Sequence, residues 1–261
     1  MFYFIINPVA GTGNFTELES KFRAQLTEFG IEGEFVKTIN SGDAIHLAKV
    51  GLRKGHRKMV CVGGDGTVNE IVNGIAGEDV LLAIIPWGKK NTIAGALGIP
   101  LNWKSAIKVL LAEEEQVLQL GLVKDRFFVA LAGLGEKHSK ANKKGLFTTK
   151  EDETDPYPLT LLVDDALKLR TNVKNVSILN ISSASEDLKS LVSDPHDDKF
   201  ELVIQSFTTN LDAEKTSYLR CAKLKISSRD LVPVHVDYEG LRLSLPFEIK
   251  IAGVEQRFLV V

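Results

Sequence analysis

The segment Val60–Ile75, reading Val-Cys-Val-Gly-Gly-Asp-Gly-Thr-Val-Asn-Glu-Ile-Val-Asn-Gly-Ile, constrains the fold more than any other part of this chain. It opens with a short β-branched run, passes through a glycine-dense turn, and continues with Val68, Ile71, Val72 and Ile75 at helical spacing. Gly63, Gly64 and Gly66 allow backbone angles that side chains forbid and let a ligand approach the main chain. A helix starting near Thr67 aims its N–H groups and positive dipole end at the turn. Strand, glycine turn and helix together predict a phosphate site. Asp65 inside it would repel a bare phosphate, so the segment points to a nucleotide carrying magnesium.

Composition narrows the class. The 261 residues are 44% hydrophobic and 25% charged, as expected for a globular protein of one large or two modest domains. A net charge of −2 provides no global field toward nucleic acid or anionic membrane. The two cysteines, Cys61 and Cys221, are expected to be free thiols, with the cytoplasm as the compartment. Met1–Ile6 has no basic start and reads as a strand. No apolar run approaches the ~20 residues needed to span a bilayer, so any membrane contact is expected to be peripheral.

Along the chain, strands are expected at Phe2–Ile6, Gly33–Ile39, Met59–Val62 and Val80–Ile85. Helices alternate with them: one carries Phe15, Leu18, Phe22, Leu26 and Phe29, capped by Asn14, and a second carries Ala44, Ile45, Ala48 and Leu52, capped by Ser41. This alternation predicts an α/β fold with an N-terminal doubly wound parallel sheet. Ligands then bind beyond the carboxyl ends of the strands, where the loops Asn7–Asn14, Gly63–Thr67 and Trp87–Asn91 should gather. A helix over Trp103–Glu113 closes this part. The texture then changes to strands, with a hairpin at Gln116–Leu131, a charged loop over Leu134–Pro158 and one helix at Leu159–Leu169. Strands are expected again at Val173–Ile181, Phe200–Phe207, Leu224–Ile226, Val232–Tyr238, Phe247–Ile251 and Gln256–Val260. We therefore expect an α/β domain over residues 1–115 and a mostly antiparallel β domain over 116–261, with the cleft between them as the default place for a second substrate.

Gly63-Gly64-Asp65-Gly66-Thr67 followed by Asn69-Glu70 and Asn73-Gly74 resembles the superfamily of diacylglycerol kinases, sphingosine kinases and NAD kinases. Asn7-Pro8 with Gly11 and Gly13 is similar to the Asn-Pro-x-x-Gly loop of the diacylglycerol kinase branch, and favours that branch over NAD kinase. Pro86-Trp87-Gly88-Lys89-Lys90-Asn91-Thr92-Ile93-Ala94-Gly95 and Leu97-Gly98-Ile99-Pro100 resemble the third loop of the family. There Lys89 replaces a threonine, Thr92 an aspartate and Gly95 an arginine. A lysine at this place could supply charge to a phosphate or could fill the phosphate space.

The resemblance continues through Leu120–Val123 and Phe127–Gly135, where Glu136-Lys137-His138 depart from the family pattern. Asp197-Asp198-Lys199-Phe200 is similar to a turn whose aspartate carries magnesium in some relatives, which makes Asp197 a metal candidate. Val236-Asp237-Tyr238-Glu239 is similar to the Val-Asp-Gly-Glu segment whose aspartate is the implied general base. In an extended strand, Asp237 and Glu239 would face the same side. Trp87 could stack on an adenine or pack in the core. The five histidines show no metal-ligand spacing, and no cysteine pair has zinc spacing.

The resemblance implies an ATP-dependent lipid kinase acting on diacylglycerol or a similar alcohol, with Mg2+. In that reading Asn7, Gly11, Gly63, Gly64, Asp65, Gly66, Thr67, Glu70, Gly88, Lys89 and Asn91 hold the nucleotide. Asp65 meets the metal and assists catalysis, Asp237 is the base and Glu239 assists. A second reading is a kinase-fold protein that binds nucleotide or lipid without turnover, motivated by Lys89, Thr92 and Tyr238. An NAD kinase-like enzyme is a third.

Overall fold

The computed structural model describes residues 1–11, 15–135, 156–181, 198–207, 214–229, 232–237, 239–241 and 243–260. The expected roles of Asn14, Asp197 and Tyr238, and most of the Leu134–Pro158 loop, lie outside these residues. The chain divides into two compact units, Met1–Leu118 with Val254–Val261, and Gln119–Gly253. The last eight residues thus return to the first unit, because Arg257 and Phe258 add a parallel strand beside Leu81 and Leu82.

In the first unit, β1 (Phe2–Ile6), β2 (Gly33–Lys37), β3 (Lys58–Gly63) and β4 (Leu81–Pro86) alternate with α1 (Phe15–Glu28), α2 (Asp43–Arg53) and α3 (Asp65–Ile75). All pairings are parallel, in the order β4-β3-β1-β2. This is the doubly wound sheet expected from the sequence. β4 is buried along its whole length, as an interior strand covered on both faces requires. Trp87 packs in the core, with Phe15 at 5.1 Å and Trp103 at 5.6 Å between ring centroids. The helix expected over Trp103–Glu113 is shorter. α5 (Trp103–Ala106) tightens into a 3₁₀ turn at Ile107–Leu111.

The second unit is antiparallel. It contains β6 (Arg126–Phe128) and β7 (Leu131–Gly135), then β8 (Tyr157–Val163) and β9 (Leu167–Leu179). β10 (Phe200–Phe207), β11 (Glu214–Cys221), β12 (Lys223–Ser227), β13 (Val234–Val236) and β14 (Glu239–Leu241) follow. β5 (Glu115–Val123) and β15 (Phe247–Leu259) run between the units along the chain. β9 organises this unit, with β8 along its first half, β7 along its second, and β10 on the opposite edge.

The helix expected at Leu159–Leu169 is instead the hairpin β8–β9. Leu159, Leu161 and Val163 alternate inward, which is a strand period that the leucine spacing also allowed to be read as helical. Asp164 and Asp165, at φ 48° and 56°, supply the left-handed turn. The Asp164 carboxylate then accepts the N–H groups of Ala222 (3.0 Å) and Lys223 (2.8 Å), which ties β12 to the hairpin. The strands expected separately at Phe247–Ile251 and Gln256–Val260 are one strand, β15.

Both cysteines are buried free thiols. Burial pushes the Cys61 thiol well above its ordinary range and the Cys221 thiol up to about 12, so neither is an activated nucleophile.

Candidate functional site

Three loops meet at the carboxyl ends of β1, β3 and β4, all within the first unit. The backbone joins them first: Asn7 N–H donates to Val62 O at 2.9 Å, and Trp87 N–H to Gly63 O at 2.8 Å. Asn7 then bridges by its side chain. Its Nδ2 donates to Thr67 Oγ1 at 3.0 Å, while its Oδ1 accepts Val9 N–H at 3.2 Å. Pro8 following Asn7 fixes φ where the chain leaves the strand.

The glycines are required by close approach. Gly11, at φ 75°, lies so near the next loop that a Cβ there would stand 2.3 Å from Trp87 O. A Cβ on Gly63 would stand 2.7 Å from the Thr67 side chain, and one on Gly88 would stand 2.5 Å from Gly64 Cα. Main chain therefore packs on main chain across the second and third loops, with no side chain between them. α3 starts directly from this contact. Gly64 is its N-cap and no side chain caps it, so the N–H groups of Asp65, Gly66 and Thr67 have no helical acceptor. A glycine-lined helix start of this kind accommodates a polyanion.

Asp65 is 9% exposed and does not face open solvent. Its Oδ1 accepts Ile93 N–H at 2.9 Å and its Oδ2 accepts Thr92 N–H at 3.0 Å, so it caps the short helix α4 (Thr92–Ala96). Burial pushes its carboxyl above the usual aspartate range, while the Ile93 and Thr92 amides and Lys90 pull the other way. Asn91, in the left-handed conformation at φ 53°, holds the third loop by its Oδ1 on Gly88 N–H and its Nδ2 on Gly88 O, both at 2.8 Å. Lys89 and Lys90 are exposed beside it.

Glu70, expected at the nucleotide, is directed to another element. Its carboxylate accepts Gly42 N–H at 2.8 Å, Ala44 N–H at 3.2 Å and Ser41 Oγ–H at 3.3 Å, capping α2. Ser41 was expected to provide that cap. The N-cap is Gly42, in the left-handed region at φ 88°, and the acceptor comes from α3. An acid at i+3 of a glycine loop reads equally well as ligand or cap, and nothing in the local sequence separates the two.

In the second unit, Asp237 and Glu239 do not lie side by side on an extended strand. β13 ends at Val236, Asp237 turns at φ 44°, and β14 begins at Glu239, which pairs with Val236. Asp237 is fully buried, and its carboxylate accepts the N–H groups of Val129 (2.8 Å), Ala130 (2.7 Å) and Leu131 (3.0 Å). Glu239 is partly exposed and pairs with Arg126 at 2.6 Å. Asn180, which belongs to no motif in the sequence, donates its Nδ2 to Val129 O at 2.8 Å and Gln119 O at 2.7 Å. An amide ending the apolar run Val-Ser-Ile-Leu-Asn was its only signal.

Comparison with known proteins locates the resemblance. Residues 1–123 match the model of the diacylglycerol kinase catalytic domain. A curated diacylglycerol kinase of Staphylococcus haemolyticus is 32% identical over 134 residues, which is 51% of this chain and 41% of that protein. One of Bacillus subtilis is 33% identical over 134 residues, 50% of this chain and 44% of that protein. These matches thus span less than half the length of either relative. A crystal structure of a diacylglycerol kinase from Bacillus anthracis superposes with a TM-score of 0.75 at 19% identity, covering 100% of this chain and 96% of that one. At that identity the likeness speaks to the fold. Over residues 1–123, where the three loops converge, the chain matches the diacylglycerol kinase catalytic domain, and along its whole length it shares that kinase's mixed α/β fold.

Proposed function

We propose that this protein is an ATP-dependent lipid kinase that transfers the γ-phosphoryl group to the hydroxyl of diacylglycerol or a similar lipid alcohol. The observation that carries this reading is the direct backbone contact of Gly64 and Gly88 at the uncapped start of α3. Phosphoryl transfer depends mainly on positioning and on electrostatic stabilisation of the phosphates, and this arrangement serves both. The amides of Asp65–Thr67 would receive phosphate oxygens, and the close approaches at Gly11 and Gly63 would hold the three loops around them. Asn7 and Asn91 keep the loops in register, and Lys89 adds positive charge at the rim.

Among the described residues, no group of three or more His, Cys, Asp or Glu is arranged to hold a metal ion. A magnesium ion would enter on the nucleotide phosphates and keep much of its water, and Asp65, whose two oxygens already accept the Ile93 and Thr92 amides, would meet it through that water. Such an ion, when bound, neutralises charge on the transferring phosphoryl group. Among the described residues no helix is long and apolar enough to cross a membrane. A lipid substrate would be met at a membrane surface by peripheral contact, and the cytoplasm is the compartment we infer.

The enclosed carboxylate of Asp237 favours a second reading, a protein that binds nucleotide or lipid without turnover. Incubation with magnesium, γ-labelled ATP and mixed micelles containing diacylglycerol separates the two. Label in the extracted lipid is expected. Nucleotide binding without label transfer to any lipid would leave the binding protein, and label transferred to NAD would indicate the NAD kinase-like alternative.

A further inference from the structure

The corner Val129-Ala130-Leu131, which leads into β7, has all six of its backbone polar groups satisfied by two residues distant in sequence. The three N–H groups donate to the Asp237 carboxylate, Val129 and Ala130 and Leu131 at 2.8, 2.7 and 3.0 Å. The three carbonyls are taken in turn: Val129 O by Asn180 Nδ2 and Ala130 O by Asn180 N–H, both at 2.8 Å, and Leu131 O by Asp237 N–H at 2.8 Å. Asp237 is fully buried, and its left-handed φ of 44° turns it away from β13 and onto this corner. Buried amide groups must be paired, and an acceptor-only carboxylate is suited to three converging N–H donors.

We propose that Asp237 is a positioning residue, not the base that receives the substrate proton. It acts with Asn180 as a two-sided clamp that fixes the corner and hence the start of β7, the strand that pairs with β13. A general base needs an oxygen within hydrogen-bond reach of the hydroxyl it deprotonates. Here both oxygens are enclosed and receive backbone amides. The clamp itself stands apart from the kinase reading; only the exclusion of the base role rests on that reading.

The test uses the full chain with Asp237→Asn, Asn180→Ala and the double variant. In Asp237→Asn an amide nitrogen must face at least one buried N–H donor, so the melting temperature is expected to fall by about 5–10 °C. Asn180→Ala is expected to fall as well. The double variant should lose less than the sum, because both residues hold Val129 and Ala130. Residual phosphoryl transfer by Asp237→Asn should keep the acid limb of the wild-type pH profile. A wild-type melting temperature for Asp237→Asn, with turnover reduced by about 10²–10⁴-fold and the acid limb abolished, would restore Asp237 as the base and overturn the proposal. If the wild-type protein transfers no phosphoryl group, the kinase reading fails, and additive melting losses would still overturn the clamp on their own.

Discussion

Asn91 grips Gly88 at both ends, its side-chain oxygen on the Gly88 N–H and its side-chain nitrogen on the Gly88 carbonyl, each at 2.8 Å. The grip requires Asn91 to stand at φ 53°, a conformation that asparagine tolerates and β-branched residues do not. Asn91→Ala removes both bonds and leaves a strained backbone, so a loss of about 2–3 kcal/mol in urea unfolding is expected. Asn91→Gly removes the bonds and relieves the strain, and should fall between the two. Equal losses for both variants would mean that the hydrogen bonds alone matter.

The backbone contact between the second and third loops makes a sharper claim. Gly88→Ala would place a methyl group 2.5 Å from Gly64 Cα, so the loops must part. Overpacking of this kind costs about 1–3 kcal/mol. Nucleotide affinity, measured by calorimetry, should fall by at least tenfold, since the parted loops no longer frame the start of α3. Gly98→Ala is the control. Gly98 is at positive φ, 72°, but a Cβ there meets nothing within 4 Å, so it should cost stability without parting the loops.

The parallel sheet and the three converging loops were legible in the sequence because each follows from short-range chemistry: a strand, a glycine turn, a helix. The destinations of the acids were not. Asp65, Glu70 and Asp237 each lie in motifs that resemble a ligand site, yet each carboxylate meets backbone amides of a segment far along the chain. Asp65 receives those of Thr92 and Ile93, Glu70 those of Gly42 and Ala44, and Asp237 those of Val129–Leu131. Periodicity carries no information about such pairings. The β8–β9 hairpin is ambiguous in the sequence for a different reason: Leu159, Leu161 and Leu162 satisfy helical and strand spacing alike, and only the acid pair Asp164-Asp165 at the turn decides.

Glu70 gives a clean test of cap against ligand. Glu70→Ala removes the acceptor from the Gly42 and Ala44 amides at the start of α2 and should cost about 0.5–2 kcal/mol, the usual range for a lost cap. Nucleotide affinity should change by less than about twofold. Thermal unfolding and calorimetry on the same variant separate these effects. A stable variant with weakened nucleotide binding would return Glu70 to the site.

Acid should destabilise the fold, and the sign follows from the paired carboxylates. The N–H groups of Asn40 and Ile39 hold the Asp43 carboxyl below its ordinary range, and Lys223 and Lys225 do the same for Asp165. A depressed folded-state pKa contributes stability that is present above the unfolded value, about 3.8, and is lost as pH falls through the lower folded value. Asp65 opposes them. Burial raises its pKa, so its contribution is present at low pH and is lost as pH rises through its folded value. Melting temperature should therefore fall on acidification below about pH 4. Asp43→Asn should flatten that part of the curve, and an unchanged slope in this variant would remove Asp43 from the account.

Lys89 is the replacement that most bears on activity, because the loop pattern that the sequence resembles has a threonine at this place. It is exposed and lies between Gly88, against Gly64, and Asn91, which holds the loop. A lysine folded into the phosphate space would be buried among the glycines; an exposed one can approach the phosphates from the rim. Lys89→Ala should leave the unfolding midpoint within about 0.5 kcal/mol of wild type, as surface changes do. It should weaken nucleotide binding by roughly tenfold at low salt, the effect of one lost charge-assisted hydrogen bond to an anion. The difference should shrink as ionic strength rises and the charge is screened. Tighter binding by Lys89→Ala than by wild type would instead show that the lysine obstructs the phosphates, and would favour the protein that binds without turnover.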